Sequence, residues 1–149
     1  MRTRILEAAL DVGLGRTYGH SGEDATDCVQ FAEALLHVAY PALDWSGTHP
    51  SMMIMDPTRL WSNVEQLVAL GFREASRPQP GRWAYVQGWR SSGAGHCFLW
   101  WAQPSPVADA DRLLEATNAT SDWYRPASWE EQRARYDRGV RLVILEEAT

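Results

Sequence analysis

Apolar residues recur at helical spacing in the first half of the chain and gather into short strand-like runs in the second. Ile5, Ala8, Ala9 and Val12 predict a first helix that Gly13 and Gly15 stop. A turn-rich segment, RTYGHSGEDA over residues 16–25, follows. Phe31, Ala32, Leu35, Leu36 and Ala39 then predict a second helix from about Cys28 to Tyr40. Asp27 is placed to cap it, with Gln30 three residues on in a capping-box pattern, and Pro41 marks its end. Asp56-Pro57 signals a third helix, with Leu60, Trp61, Val64, Leu67 and Val68 as its apolar face and Gly71 closing it.

The pattern then changes. RWAYVQGW (Arg82 to Trp89) reads as a strand in which Gly88 marks a bulge, SSGAG as a turn, and HCFLWWA (His96 to Ala102) as a second strand pairing with the first. A short strand is expected over Arg112 to Ala116. Ser128 with Glu131 opens a short helix, and Val140 to Leu145 is a final apolar strand. Helices first and antiparallel strands after them predict an α+β fold, a single domain over residues 1–149 with its N-terminal helices packed on one side of an antiparallel β-sheet.

Composition narrows the classes of function. The chain has 149 residues, 45% of them hydrophobic and 22% charged, as a folded domain requires. No run of about 18 apolar residues suggests a membrane span. Glu7 and Asp11 interrupt the N-terminal apolar stretch, which is unlike an ordinary secretory signal. The 14 basic residues are all Arg; against 19 acidic ones they leave a net charge of -5. That balance disfavours nucleic acid as a partner, because phosphate binding needs clustered positive charge. The two cysteines, Cys28 and Cys97, make neither a disulfide framework nor a CxxC metal knuckle, so no metal or cofactor is expected.

Those cysteines do leave room for thiol chemistry. Cys28 falls at the first position of a capped helix, where the helix dipole favours a thiolate and free backbone N–H groups can receive an oxyanion. A small buried packing residue is the competing reading. His96, after Gly93 and Gly95, could serve as general base; a surface turn histidine is its alternative. Strand alternation places His96, Phe98 and Trp100 on one face and Cys97, Leu99 and Trp101 on the other, so Cys97 reads as core. A third polar residue should orient the imidazole, and Glu115 or Asn118, in LLEATN, is positioned to do so. His20, in the glycine-rich loop, could line such a site. Of the eight tryptophans, most read as core, and Trp100 is a candidate for the wall of an active groove.

The segment RILEAALDVGLGRTYGHSGEDATDCVQF, residues 4–31, resembles the opening of NlpC-type cell-wall peptidases. Those begin with a helix, then a Tyr and a glycine-rich loop, then Asp-Cys at the head of the central helix; here these are Tyr18-Gly19, Ser21-Gly22 and Asp27-Cys28. Pro80-Gly81 before one strand and Gly95-His96 opening the next are similar to the family's later pattern. The resemblance implies a papain-like cysteine hydrolase with Cys28 as nucleophile and His96 as base. It puts Glu115 in the third position, and the related CHAP amidases, which use Glu and Asn, keep Asn118 open. It gives Tyr18 and Asp27 places beside the nucleophile, and His20 stands where the family usually has an aromatic. The implied substrate is an amide bond in peptidoglycan peptides, and the implied route to the wall is a phage tail or secretion partner. Val29-Gln30 stands where the family commonly has Ser-Gly, and the third position is Glu rather than His. Two other classes fit the same scaffold: a thiol acyltransferase or amidase with a non-wall substrate, and a non-catalytic phage tail or assembly protein.

Overall fold

The computed structural model describes residues 4–12, 17–18, 25–26, 28–44, 57–104, 111–115 and 124–145. Helix α1 spans Arg4–Val12 and α2 spans Cys28–Ala39, so Cys28 opens its helix as the sequence predicts. Asp27, the expected cap, lies outside the described residues, as do Gly13 and Gly15. The two helices pack together through Ile5 and Ala8 of α1 and Phe31, Ala32, Leu35 and Leu36 of α2. The Arg4 guanidinium sits 5.3 Å from the Tyr40 ring centroid, which brings the start of α1 to the end of α2 and sets the pair antiparallel. Two short strands, β1 (Thr17–Tyr18) and β2 (Ala25–Thr26), pair in parallel between these helices in the chain.

Helix α3 runs over Ser62–Ala69, later than its Asp-Pro signal suggests. Residues 57–61 form turns instead, and these dock: the Trp89 indole N–H donates to the Leu60 carbonyl, and Arg141 lies over the Trp61 ring. The inward arc of α3 is also rotated from the expected one. Asn63, Val64 and Leu67 are buried, whereas Val68 is 42% exposed. Asn63 takes an inward place because its amide donates to the Tyr85 hydroxyl at 2.9 Å, and a turn of 100° per residue then carries Val68 out to solvent.

The main sheet has six strands in the order β3-β8-β4-β5-β6-β7, every neighbouring pair antiparallel. They are β3 (Arg73–Ala75), β4 (Trp83–Trp89), β5 (Gly95–Trp101), β6 (Asp111–Leu114), β7 (Tyr124–Ala127) and β8 (Val140–Leu145). A mixed α/β fold with an antiparallel sheet and a few helices is therefore what the chain adopts. Strand β4 is buried along its whole length, flanked by β5 and β8. Its register with β5 runs unbroken from Trp83↔Trp101 to Trp89↔Gly95, so Gly88 is not a bulge.

Both faces of the sheet are covered. Trp83, Tyr85, Cys97, Leu99, Leu114, Val143 and Leu145 face helices α1 to α3. The opposite face carries Val86, Phe98, Trp100, Leu113 and Ile144, covered by Tyr136 and Trp129. Trp129 opens α4 (Trp129–Arg133), whose Ser128 cap accepts from the Glu131 amide as the capping box predicts. The helices thus do not all lie on one side: α1 to α3 cover one face and α4 contributes to the other.

Gly88 has a packing reason instead of a bulge. It pairs with His96 across the ladder, and a Cβ there would stand 2.5 Å from the Tyr136 Cγ. The missing side chain lets the Tyr136 ring lie flat on β4 and stack on Phe98 at 6.1 Å, while Phe98 stacks on His96 at 5.8 Å. Gly88→Ala should therefore push a buried ring out of place and cost about 1–3 kcal/mol, read as a lowered denaturant midpoint at unchanged m-value.

Candidate functional site

Three of the sequence-selected side chains converge at one end of the sheet. Cys28 begins α2, His96 is the second residue of β5, and Glu115 follows β6 directly. The β5–β6 register pairs Leu99 with Leu114, so continuing it sets Glu115 across from Phe98, a diagonal neighbour of His96 on the same face. There the His96 Nε2 and the Glu115 Oε2 lie 2.6 Å apart. With Nε2 committed to the carboxylate, the ring's other nitrogen is the one left for the thiol, and His96 and Cys28 are hydrogen-bonded through their side chains. Glu115 is buried, whereas 20% of the His96 side chain remains exposed.

The hairpin that carries His96 is tied down beyond the ladder. Its turn is closed by the Arg90 amide donating to the Ala94 carbonyl at 2.8 Å. The Arg90 side chain donates to the Arg135 carbonyl at 2.8 Å and lies over the Tyr136 ring, and the Ser91 amide donates to the Asp137 carboxylate at 2.8 Å. These contacts anchor the turn to the segment between α4 and β8, so the start of β5 does not fray. The imidazole itself is held between the Phe98 ring and the Glu115 carboxylate.

Electrostatics make the group an ion pair. The Cys28 thiol is brought down from 9.0 to about 5; a hydrogen bond from the Cys97 side chain contributes most, burial opposes, and the bond and charge of His96 add to the lowering. His96 rises from 6.5 to about 9: burial disfavours its charge, but hydrogen bonds and charge from Cys28 and Glu115 outweigh that. The ionised form near neutral pH is a thiolate beside an imidazolium, backed by a carboxylate. A thiolate of this kind is nucleophilic, and the imidazolium can give a proton to a departing group.

Cys97 does more than fill the core, which alternation alone does not signal. Alternation does place it on the helix-facing side, away from His96, and it is buried in the core. Yet the head of α2 meets β5 where consecutive side chains from both faces reach it, so Cys28 touches His96 and Cys97 together. Tyr85 and Asn63 stand behind Cys97: the buried Tyr85 hydroxyl accepts from Asn63 and interacts with the Cys97 thiol. No motif signals these three, because they come together only through the sheet register and the rotation of α3.

Trp100 does not line a groove. It is fully buried on the face away from α2, edge-on to Trp129 at 5.1 Å, with its indole N–H donating to Asp111 at 2.9 Å. Tyr18 is placed in β1, paired with Thr26. His20, Asp27 and Asn118 lie outside the described residues; of the two candidates for the third position, the described one, Glu115, is bonded to His96. No cluster of three or more metal-ligating side chains occurs among the described residues.

Alkylation of Cys28 by iodoacetamide should accordingly show a rate that rises through pH of about 5, stays level across neutrality, and changes again near 9 as the imidazolium loses its proton. Mass spectrometry of the labelled peptide separates Cys28 from Cys97, and a single rise near 8.5, the ordinary thiol value, would contradict the ion pair.

No protein-family model, no curated protein and no solved structure matches this chain.

Proposed function

We propose that the protein is a papain-like cysteine hydrolase of the NlpC type that cleaves amide bonds in peptidoglycan peptides. The observation that carries the chemistry is the convergence of a thiol at a helix start, an imidazole and a buried carboxylate, with His96 and Glu115 2.6 Å apart. The substrate class rests on the resemblance of residues 4–31 and of the later Gly-His strand start to that family.

The steps follow from the geometry. The Cys28 thiolate attacks the carbonyl carbon, and the carbonyl π electrons move to oxygen. Backbone N–H groups in the first turn of α2 donate to no carbonyl of their own helix, so they are available to donate to the oxyanion. As the tetrahedral species collapses, the C–N bond breaks and His96 gives its proton to the leaving amine. The acyl group stays on sulfur as a thioester. Water then attacks that thioester, passing a proton to His96, and the acid departs as the Cys28 thiolate and the imidazolium re-form. Glu115 holds Nε2–H throughout, which fixes the tautomer and supports the positive ring.

Purified peptidoglycan and synthetic stem peptides test this reading. Cys28→Ala should lower the cleavage rate by about 10³-fold or more, because loss of the nucleophile leaves only binding and oxyanion contacts. Glu115→Gln should lower kcat/KM by about 10²-fold and bring the alkaline limb down from about 9, since the carboxylate charge helps keep His96 protonated. Full activity in Cys28→Ala would sink the mechanism. Thioester probes that label Cys28 while every muropeptide stays intact would redirect the substrate to a non-wall acyl compound.

A further inference from the structure

The second cysteine bonds the helix-head thiol from the core side, and its surroundings are too polar for simple packing. Cys97 lies on the helix-facing side of β5, in one buried cluster with Cys28 and Tyr85. The ladder pairs Tyr85 with Leu99 and Gln87 with Cys97, so Tyr85 and Cys97 are diagonal neighbours on that face. The Tyr85 hydroxyl is fully buried and accepts the Asn63 amide proton at 2.9 Å, which orients its lone pair toward α3 and leaves its own proton to give elsewhere. A buried phenol that could not place that proton would forfeit a hydrogen bond in the core. The thiol of Cys97 is the acceptor beside it, and Cys97 in turn is hydrogen-bonded to Cys28.

We propose that Cys97 is a positioning residue whose S–H donates to the Cys28 sulfur on the side away from His96, with Asn63 and Tyr85 orienting that thiol from behind. The nucleophile is thereby held between two donors, an imidazolium from one face of β5 and a thiol from the other. The titratable groups that bear on Cys28 among the described residues are His96 and Cys97 on β5 and Tyr85 on β4, with Glu115 behind His96. A thiol donor stabilises the thiolate through a hydrogen bond, without the desolvation cost that a second buried cation would carry. The role rests on the thiolate reading of Cys28 given above, but not on the substrate.

The test is the pH dependence of Cys28 alkylation by iodoacetamide, followed by peptide mass spectrometry in the wild type and in three variants, with far-UV circular dichroism and thermal unfolding as fold controls. Cys97→Ala removes the donor and should move the Cys28 midpoint upward by about one pH unit or more. Cys97→Ser keeps an O–H donor of similar size and should return the midpoint most of the way to the wild-type value. Tyr85→Phe leaves Cys97 in place but frees its rotation, and should give a smaller upward shift. Should Cys97→Ala fail to fold, the comparison of Tyr85→Phe with wild type carries the test. A low wild-type midpoint that neither Cys97→Ala nor Tyr85→Phe moves would overturn the role of Cys97 and leave the hydrolase intact. A wild-type midpoint near 8.5 would overturn the activated thiol itself. Shifts of the expected size in a protein that cleaves no peptidoglycan would support the Cys97 role and refute only the substrate.

Discussion

The short contact between His96 Nε2 and Glu115 Oε2 constrains everything built around it. A carboxylate that is almost wholly buried is costly unless a positive partner repays its lost hydration, and His96 is that partner. Once Nε2 is spent on Glu115, the imidazole presents its other nitrogen to the head of α2. The ring orientation, the identity of the nitrogen that meets sulfur and the stability of the charged ring all follow from one bond. That bond in turn depends on sheet register: a slip of one residue between β5 and β6 would turn Glu115 to the opposite face and strand its charge in the helix-side core.

The face of the sheet away from α2 looks remote from the thiol, yet it sets the position of the imidazole. His96, Phe98 and Tyr136 form a stacked series, and Gly88 is bare so that Tyr136 can lie against β4. Burial drives the Tyr136 hydroxyl upward, and the nearby Glu115 carboxylate adds to that rise, so it stays a neutral phenol; the Gln132 amide donates to it. The carboxylate therefore faces one cation and one neutral phenol rather than a second acid. The Arg90 and Ser91 contacts to residues 135 and 137 bind the hairpin turn to the same layer. Packing on one face thus fixes a group that reacts toward the other.

What the sequence made legible follows from how local each signal is. The start of α2 at Cys28, the hairpin of β4 with β5, and β8 were readable because periodicity and glycine turns are properties of a few neighbouring residues. The alternation in HCFLWW also placed His96 and Cys97 on their correct faces. Less local features escaped. Strand β3 carries Arg73 and Glu74 with no apolar alternation, since it is an edge strand held to β8 by the Glu74–Arg141 ion pair. Strand β7 contains Pro126, tolerable because it too lies at the edge of the sheet. The aromatic character of Trp100 suggests a groove wall, but the indole N–H that suits it to a wet wall is satisfied internally by Asp111.

The two cysteines mark the limit of face alternation as a guide to a site. Face alternation correctly separates Cys97 from His96, and inferring from it that Cys97 is inert assumes that a site occupies one face of a strand. Near a strand end that assumption fails, because an element lying across the end meets side chains from both faces. Helix α2 does this at β5, so adjacent residues with opposite directions converge on one sulfur. The same placement explains why Asn63, chemically unremarkable in its sequence context, turns inward on α3: a buried phenol behind the second thiol needs an orienting donor, and α3 rotates to supply it. The polar group around Cys28 is thus continuous across the sheet, from Glu115 on one face to Asn63 against the other, and the thiol sits where the two halves meet.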